Sequence, residues 1–152
     1  QYSFGSRLVP QFQSIMGGMY SVRGYAQSVV AGDNSVFGSL EYRFHVPRSF
    51  AVQPEPIDFM GAPFRAAPQY VYGRPDWDLI LKAFVDAGYV FQNGNLPFEV
   101  NNTLIGAGIG MEFLYKSNLK VRMDWGFALH DLEFGLAEAG SSRLYVTGTF
   151  LW

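Results

Sequence analysis

The side chains of this chain that could do chemistry are scattered, and their spacing argues against an active site. His45 and His130 stand far apart, with no cluster of ligating residues around either, so no metal centre is expected. Cysteine is absent, which removes disulfides, thiolate ligands and a thiol nucleophile. No nucleophile–base pair is legible. Gly106-Ala107-Gly108-Ile109-Gly110 has the glycine density of a dinucleotide loop, but its spacing departs from G-x-G-x-x-G and no helix follows. Glycines in phase on one strand face more simply leave space beside the strand or let it bend. What remains is a set of charges of both signs: Glu41, Arg43, Lys82, Glu112, Lys120, Arg122, Asp124 and Arg143, with Arg23 in a glycine-flanked segment and Asp86 further on. Such a set can tether a loop or line a wet interior. The expectation is therefore a protein that is not an enzyme and needs no cofactor.

These charges sit in segments of period two, the repeat of a β-strand. In 35–46, Val36, Leu40, Tyr42, Phe44 and Val46 alternate with Ser35, Phe37, Ser39, Glu41, Arg43 and His45. In 79–91, Leu79, Leu81, Ala83, Val85, Ala87, Tyr89 and Phe91 share one face, opposite Lys82, Asp86 and Gly88, though Ile80, Phe84 and Val90 share that second face. Ile105 to Tyr115 sets Ile105, Ala107, Ile109, Met111, Phe113 and Tyr115 against three glycines and Glu112. Leu119 to His130 opposes Lys120, Arg122 and Asp124 to Leu119, Val121, Met123, Trp125, Phe127 and Leu129. The last segment places Leu144, Val146, Phe150 and Trp152 against Arg143, Tyr145, Thr147 and Thr149. Gln1 to Phe12 alternates more weakly. Six strands are expected, several of about ten residues, the length a tilted strand needs to cross a bilayer.

Composition fits. Of 152 residues, 49% are hydrophobic and 17% aromatic, while only 16% are charged against a typical figure of about 25%. No apolar run approaches the roughly 20 residues of a membrane helix. A net charge of −2 points away from a nucleic-acid partner. Alternation alone leaves open which face is inside. The broad, aromatic-ended apolar faces favour a membrane barrel with a polar interior over a soluble barrel with an apolar one.

The connections differ in length. Lys116-Ser117-Asn118 reads as a tight turn, and 92–102 and 131–142 as longer loops. Residues 47–78 hold six of the eight prolines, and strand parity puts this stretch on the short-turn side. Prolines cannot donate ladder hydrogen bonds, so an irregular insertion, a long periplasmic connection, is expected rather than another hairpin.

Between the first two strands runs Met16-Gly17-Gly18-Met19-Tyr20-Ser21-Val22-Arg23-Gly24-Tyr25, followed by Ala31-Gly32-Asp33-Asn34 and Ser39-Leu40-Glu41-Tyr42-Arg43-Phe44; Phe84-Val85-Asp86-Ala87-Gly88 lies mid-strand downstream. This order resembles the barrel of the outer-membrane superfamily that contains the two-partner-secretion transporters and the barrel-assembly insertases. The resemblance covers nearly the whole chain except 47–78. It implies an all-β, antiparallel transmembrane β-barrel of sixteen strands preceded by POTRA domains, with this chain as its last six strands. It implies that 14–34 is an extracellular loop folded into the lumen. On this resemblance Val22, Arg23, Gly24 and Tyr25 form the loop-lock motif, and Phe84, Asp86 and Gly88 the lumen motif, with Asp86 as the arginine's partner. Phe150 and Trp152 match the terminal aromatic pattern read by the assembly machinery, although Gly148 falls one position away from the glycine of that pattern.

The function so implied is a bacterial outer-membrane pore that passes an unfolded secreted protein. Its partners would be the lipid bilayer, the remainder of the barrel with its POTRA domains, and the secreted protein. The alternatives are an insertase acting on nascent outer-membrane proteins, a small eight-stranded structural or adhesive barrel, and a soluble ligand-binding barrel.

Overall fold

A computed structural model describes residues 1–94, 99–116 and 118–152. The middle of the connection expected at 92–102, and the centre of the Lys116–Asn118 turn, lie outside the described residues. The chain is all-β with antiparallel sheets. Its strands are β1 (Ser14–Met16), β2 (Val30–Gly32), β3 (Asn34–His45), β4 (Ile57–Phe59), β5 (Ala62–Phe64), β6 (Trp77–Phe91), β7 (Asn102–Tyr115), β8 (Leu119–Ala128) and β9 (Ser142–Phe150). Five of them form one sheet in the order β3-β6-β7-β8-β9, so neighbours in sequence are neighbours in space once the hairpins are set aside. Among the described residues no helix is long and apolar enough to cross a membrane, which says nothing about strands.

The five long strands follow the period-two segments to within a few residues. The sixth expected strand, Gln1 to Phe12, is corrected. Phe4 and Gly5 both adopt positive φ and turn the chain, and Pro10–Phe12 forms a 3-10 turn. Side chains hold this segment where a ladder would have held a strand. Ser3 N–H donates to Asn34 Oδ1 at 2.8 Å and Leu8 N–H to Asp33 Oδ1 at 2.9 Å. The stretch 47–78 is corrected in part. It is irregular for most of its length, yet β4 and β5 pair as a small hairpin through Met60–Gly61, both at positive φ. Pro63 stands opposite Asp58, one pair along from the Phe59–Ala62 closing pair. In a two-residue hairpin that next pair exchanges no backbone hydrogen bonds, so the missing N–H costs nothing.

The chain divides into two compact units. The first contains Gln1–Glu41, Ala83–Ile109 and Asp124–Tyr145. Its core is Met16, Val22, Tyr25 and Val30 from the β1–β2 excursion against Val90, Leu104, Ala128 and Leu132. On β6, and at Asp124 and Gly126 of β8, the polar phase is buried, whereas the edge strands β3 and β9 are open on both faces at Phe37, Ser39 and Arg143. On β6, Phe84, Asp86, Gly88 and Val90 are buried while Ala83, Val85, Ala87 and Tyr89 are open. Leu40 is 78% exposed and Val85 51%, whereas Asp86 and Asp124 are fully buried. A soluble sheet has the opposite sidedness, since exposing apolar surface to water forgoes about 25 cal/mol per Å².

The second unit contains Tyr42–Lys82, Gly110–Met123 and Val146–Trp152. The inversion recurs on its parts of β6 and β7, while Arg43 and Lys120 in the polar phase of β3 and β8 are about half exposed. Lys82 and Glu112 are buried, while Tyr42, Phe44, Leu81, Met111, Val146 and Phe150 are exposed. Aromatic pairs gather at one set of strand ends: Trp77 with Phe113, Trp77 with Phe50, and Phe64 with Tyr115.

Candidate functional site

The site in the first unit is built on the loop 14–34. Its two ends are clipped together by the β1–β2 ladder, in which Ser14, Ile15 and Met16 face Gly32, Ala31 and Val30. Gly17 N–H donates to Ser21 Oγ at 2.8 Å, and Gly18 N–H to the Val22 carbonyl at 3.1 Å, which tightens the turn before the motif. Val22 is fully buried. Arg23 follows, its whole side chain laid against the charged phase of β3, β6 and β8.

The guanidinium of Arg23 engages Asp86 as a fork. Nε donates to Oδ2 at 2.7 Å and Nη2 to Oδ1 at 2.9 Å, while the Arg23 backbone N–H adds a third bond to Oδ2 at 3.1 Å. Planar, permanently charged guanidinium suits this bidentate match in a way an ammonium does not. Nη1 reaches Glu41 Oε2 at 2.7 Å and Asp124 Oδ2 at 3.4 Å. Ser39 Oγ donates to Asp86 Oδ1 at 2.6 Å and fixes that carboxylate from the β3 side. Phe84, two residues before Asp86 and hence on the same face, lies under the guanidinium with its ring centroid 3.4 Å from Cζ. One cation thus faces three carboxylates and a ring. Burial alone would weaken the guanidinium's hold on its proton, but hydrogen bonds and charge from Asp86 and Glu41 outweigh this and strengthen it. Arg23 is only 4% exposed and carries its charge permanently there.

The glycines provide room. A Cβ on Gly88 would run into Met16 Sδ and come within 2.9 Å of Val22 Cγ2. One on Gly106 would collide with the Arg23 carbonyl oxygen, and one on Gly126 would stand 2.7 Å from Gly24 N. Gly24 has a φ of +103°, and a side chain there would meet the Phe127 backbone at 2.5 Å. Glycines on β7 and β8 therefore let loop backbone lie directly on strand backbone, and Gly88 on β6 leaves room for the Met16 and Val22 side chains.

Two anchors go beyond the Arg23–Asp86 pairing: Tyr25, which the motif included without a partner, and Tyr145, which had no site reading in the sequence. Tyr25 Oη faces the carbonyls of His130 at 2.8 Å and Ile105 at 3.0 Å and accepts both of their N–H groups, so it bridges β7 to the chain just past the end of β8. Tyr145 on β9 bonds the loop's turn from the other side, at Gly24 and Tyr25. The signal was available: Tyr145 is the one aromatic in the polar phase of its strand. A third set, Asp33 and Asn34, ties the loop's exit to Leu8, Gln13, Ser3 and Asn93. Burial favours the neutral form of Asp33, but N–H donors from Asn93, Leu8 and Gln13 prevail and hold its carboxyl below the usual value.

Of the charged residues expected on one polar face, Arg23, Glu41, Asp86 and Asp124 are brought together in the first unit. Others gather in the second unit around Glu112, with Lys120 Nζ at 2.5 Å, Arg43 Nη2 at 3.8 Å and Lys82 Nζ at 3.9 Å. Arg122 and Arg143 lie in the polar phases of β8 and β9. Phe150 and Trp152 are exposed; Trp152 lies beyond the strand, where Leu151 bonds Asn118.

No family model, curated protein or solved structure matches this chain in comparisons with known proteins. The arrangement can do one thing plainly. It holds a loop against one face of a sheet by a buried ionic lock whose counter-charges come from three strands.

Proposed function

We propose that the chain is the C-terminal part of a bacterial outer-membrane β-barrel that passes an unfolded secreted protein across the membrane without chemistry, in the manner of two-partner-secretion transporters. The observation that carries this reading is the lock itself. A buried Arg23–Asp86 fork pins a loop on the charged side of a sheet whose other side is apolar and open. A sheet of this sidedness is suited to lipid outside and a polar interior. On this reading the remainder of a sixteen-stranded barrel closes the wall, because open strand edges in hydrocarbon cost several kcal/mol per unsatisfied group. POTRA domains and the secreted protein are the further partners, and the loop is a plug or guide within the lumen.

A barrel-assembly insertase is the second reading, favoured by one contact: Tyr145 joins the loop's turn to β9, the last strand of the sheet. Deleting the gene and comparing the culture medium with the outer membrane separates the two. A transporter loses one or a few secreted proteins and leaves other barrels at normal level; an insertase depletes barrels broadly. Complementation with Arg23→Ala and Asp86→Ala tests the lock. Normal export by both variants, with the loop still protected from protease, overturns its role.

A further inference from the structure

Charge is unevenly shared along this chain. The second unit holds eight of the eleven Lys and Arg but only five of the thirteen Asp and Glu, in a protein whose overall charge is −2. Part of that excess lies on the charged side of the sheet. Glu112 is met there by Lys82, Arg43 and Lys120, one carboxylate against three cations, and Arg43 and Lys120 stay about half exposed. Both stand near one set of strand ends. Arg43 lies two residues before the end of β3, and Lys120 is the second residue of β8.

Three more cations stand at those ends. A pocket of about 260 Å³ is lined by Arg48, Arg74 and Lys116 with Asp76, Asp78 and Leu114. Asp78 and Leu114 share the strand phase of Lys82 and Glu112, so the pocket continues the charged face and not the apolar one. Its backbone is tied down: Asp76 N–H donates to the Arg65 carbonyl at 2.9 Å, and Lys116 N–H to the Asp76 carbonyl at 2.6 Å. Its carboxylates have partners of their own. Asp76 pairs with Arg65 at 3.2 Å, and Asp78 Oδ2 meets His45 Nδ1 at 2.7 Å. Arg48, Arg74 and Lys116 are exposed, and among the described residues no carboxylate lies within ion-pair distance of them.

A cleft lined by one sign of charge raises the local concentration of the opposite sign. Guanidinium groups grip a carboxylate or a phosphate with two parallel hydrogen bonds. A free phosphate would occupy one such grip. Cations spread from the pocket to Arg43 and Lys120 match a longer anion, one with charges at successive positions along an extended chain.

We propose that these cations form an entry site for an acidic stretch of the exported chain, its carboxylates held by Arg48, Arg74 and Lys116 and met next by Arg43 and Lys120. The assignment rests on the transporter reading above, in which 47–78 faces the periplasm and the charged side of the sheet lines the lumen.

Binding of a fluorescent hexaglutamate peptide to the full-length protein in detergent, followed by anisotropy, tests the site. Hexaglutamate should bind, hexalysine should not, and inorganic phosphate at equal charge concentration should not displace the bound peptide. Removing two exposed ionic contacts in Arg48→Ala/Arg74→Ala should weaken binding about tenfold. Arg48→Glu/Arg74→Glu/Lys116→Glu should lose hexaglutamate and take up hexalysine. Arg7→Glu, a charge reversal in the other unit, should leave hexaglutamate binding unchanged. In cells the triple variant should reach the wild-type level of heat-modifiable protein and export less of the secreted protein. No binding of hexaglutamate, displacement by phosphate, or a triple variant that binds and exports like wild type overturns the proposal. Gene deletion reads the transporter independently. If deletion abolishes export of a secreted protein but wild type ignores hexaglutamate, this site alone fails; if deletion leaves all export intact, the transporter reading fails and this site with it.

Discussion

Tyr145 Oη donates to the Tyr25 carbonyl at 2.6 Å and accepts the Gly24 N–H at 3.2 Å, so a single phenol on β9 satisfies both backbone groups at the loop's turn. The loop is thereby held at three independent places: the Arg23 fork on β6, the Tyr25 hydroxyl between β7 and the end of β8, and Tyr145 on β9. Tyr145→Phe keeps the ring and removes both bonds, leaving a buried N–H and carbonyl short of a partner at a cost of about 1–3 kcal/mol. We expect the variant to assemble normally and its loop to be cut faster by added protease. A digestion rate equal to wild type would show that the contact does not hold the loop.

The ionic lock is asymmetric, and its two partners should differ. Asp86→Asn leaves Arg23 facing Glu41 and Asp124, whereas Arg23→Ala leaves three carboxylates facing one another on a buried surface. Breaking a buried pair costs about 3–5 kcal/mol when a charge is left unpaired. Arg23→Ala should therefore release the loop more completely than Asp86→Asn. Arg23→Lys should not restore it, because an ammonium cannot reproduce the fork. The double variant Arg23→Ala/Asp86→Asn should fall well short of the sum of the two single effects. Loop protection measured by proteolysis of the assembled protein ranks the four.

Why some of this could be read from the sequence and some could not follows from the length over which each signal acts. Period-two alternation is sustained for ten or more residues in β3, β6, β7 and β8 and for nine in β9, so those strands and their two faces were legible. Gln1 to Phe12 carried the same pattern weakly, and a turn at Phe4–Gly5 with a 3-10 turn at Pro10 overrode it. The β1–β2 and β4–β5 hairpins have strands of only three residues, too short for a period to register. Arg23 and Asp86 were paired by motif resemblance, but nothing in the strand pattern distinguished Glu41 and Asp124, which join them, from Glu112, which anchors a different cluster. Spacing along each strand fixes a side chain's face. It does not fix the height at which a loop crosses that face.

The in-phase glycines offer a graded test of loop-on-strand packing. At Gly88 an added methyl meets mainly the flexible end of Met16 and only just crowds a Val22 methyl at 2.9 Å; at Gly106 it meets the Arg23 carbonyl, which cannot move without the lock. Gly106→Ala should consequently expose the loop to protease far more than Gly88→Ala, with both strands intact by circular dichroism. Equal sensitivity would mean that the backbone contact is not what positions Arg23.

Asp33 gives the loop's exit an acid limit. Its carboxyl is held below the ordinary value of 3.8 by the N–H groups of Asn93 and Leu8 and by Gln13 against the opposing effect of burial. A folded-state pKa below the unfolded one stabilises the fold above the ordinary value, and that contribution is lost as pH falls from there through the lower folded-state value. Thermal stability followed from pH 6 downward should therefore fall in wild type below about pH 4, a step that Asp33→Asn should lack while being less stable at neutral pH. Parallel curves for the two proteins would remove Asp33 from the account.

The sidedness of the sheet yields the test that separates lipid from water. Val85 is exposed on β6, directly beside buried Asp86 and Phe84. In a water-soluble protein, a charge placed at such an exposed position alters stability by no more than about 0.5 kcal/mol. In a membrane barrel the same side chain faces hydrocarbon, and an arginine near mid-bilayer costs about 2–4 kcal/mol, with less towards either interface. Val85→Arg and Leu40→Arg should accordingly lower the yield of heat-modifiable, membrane-integrated protein. A matching change of Tyr42, which lies nearer the β3 end that bears His45, should be milder. Three variants that assemble as well as wild type would place the apolar face in water and remove the physical basis for a transmembrane barrel.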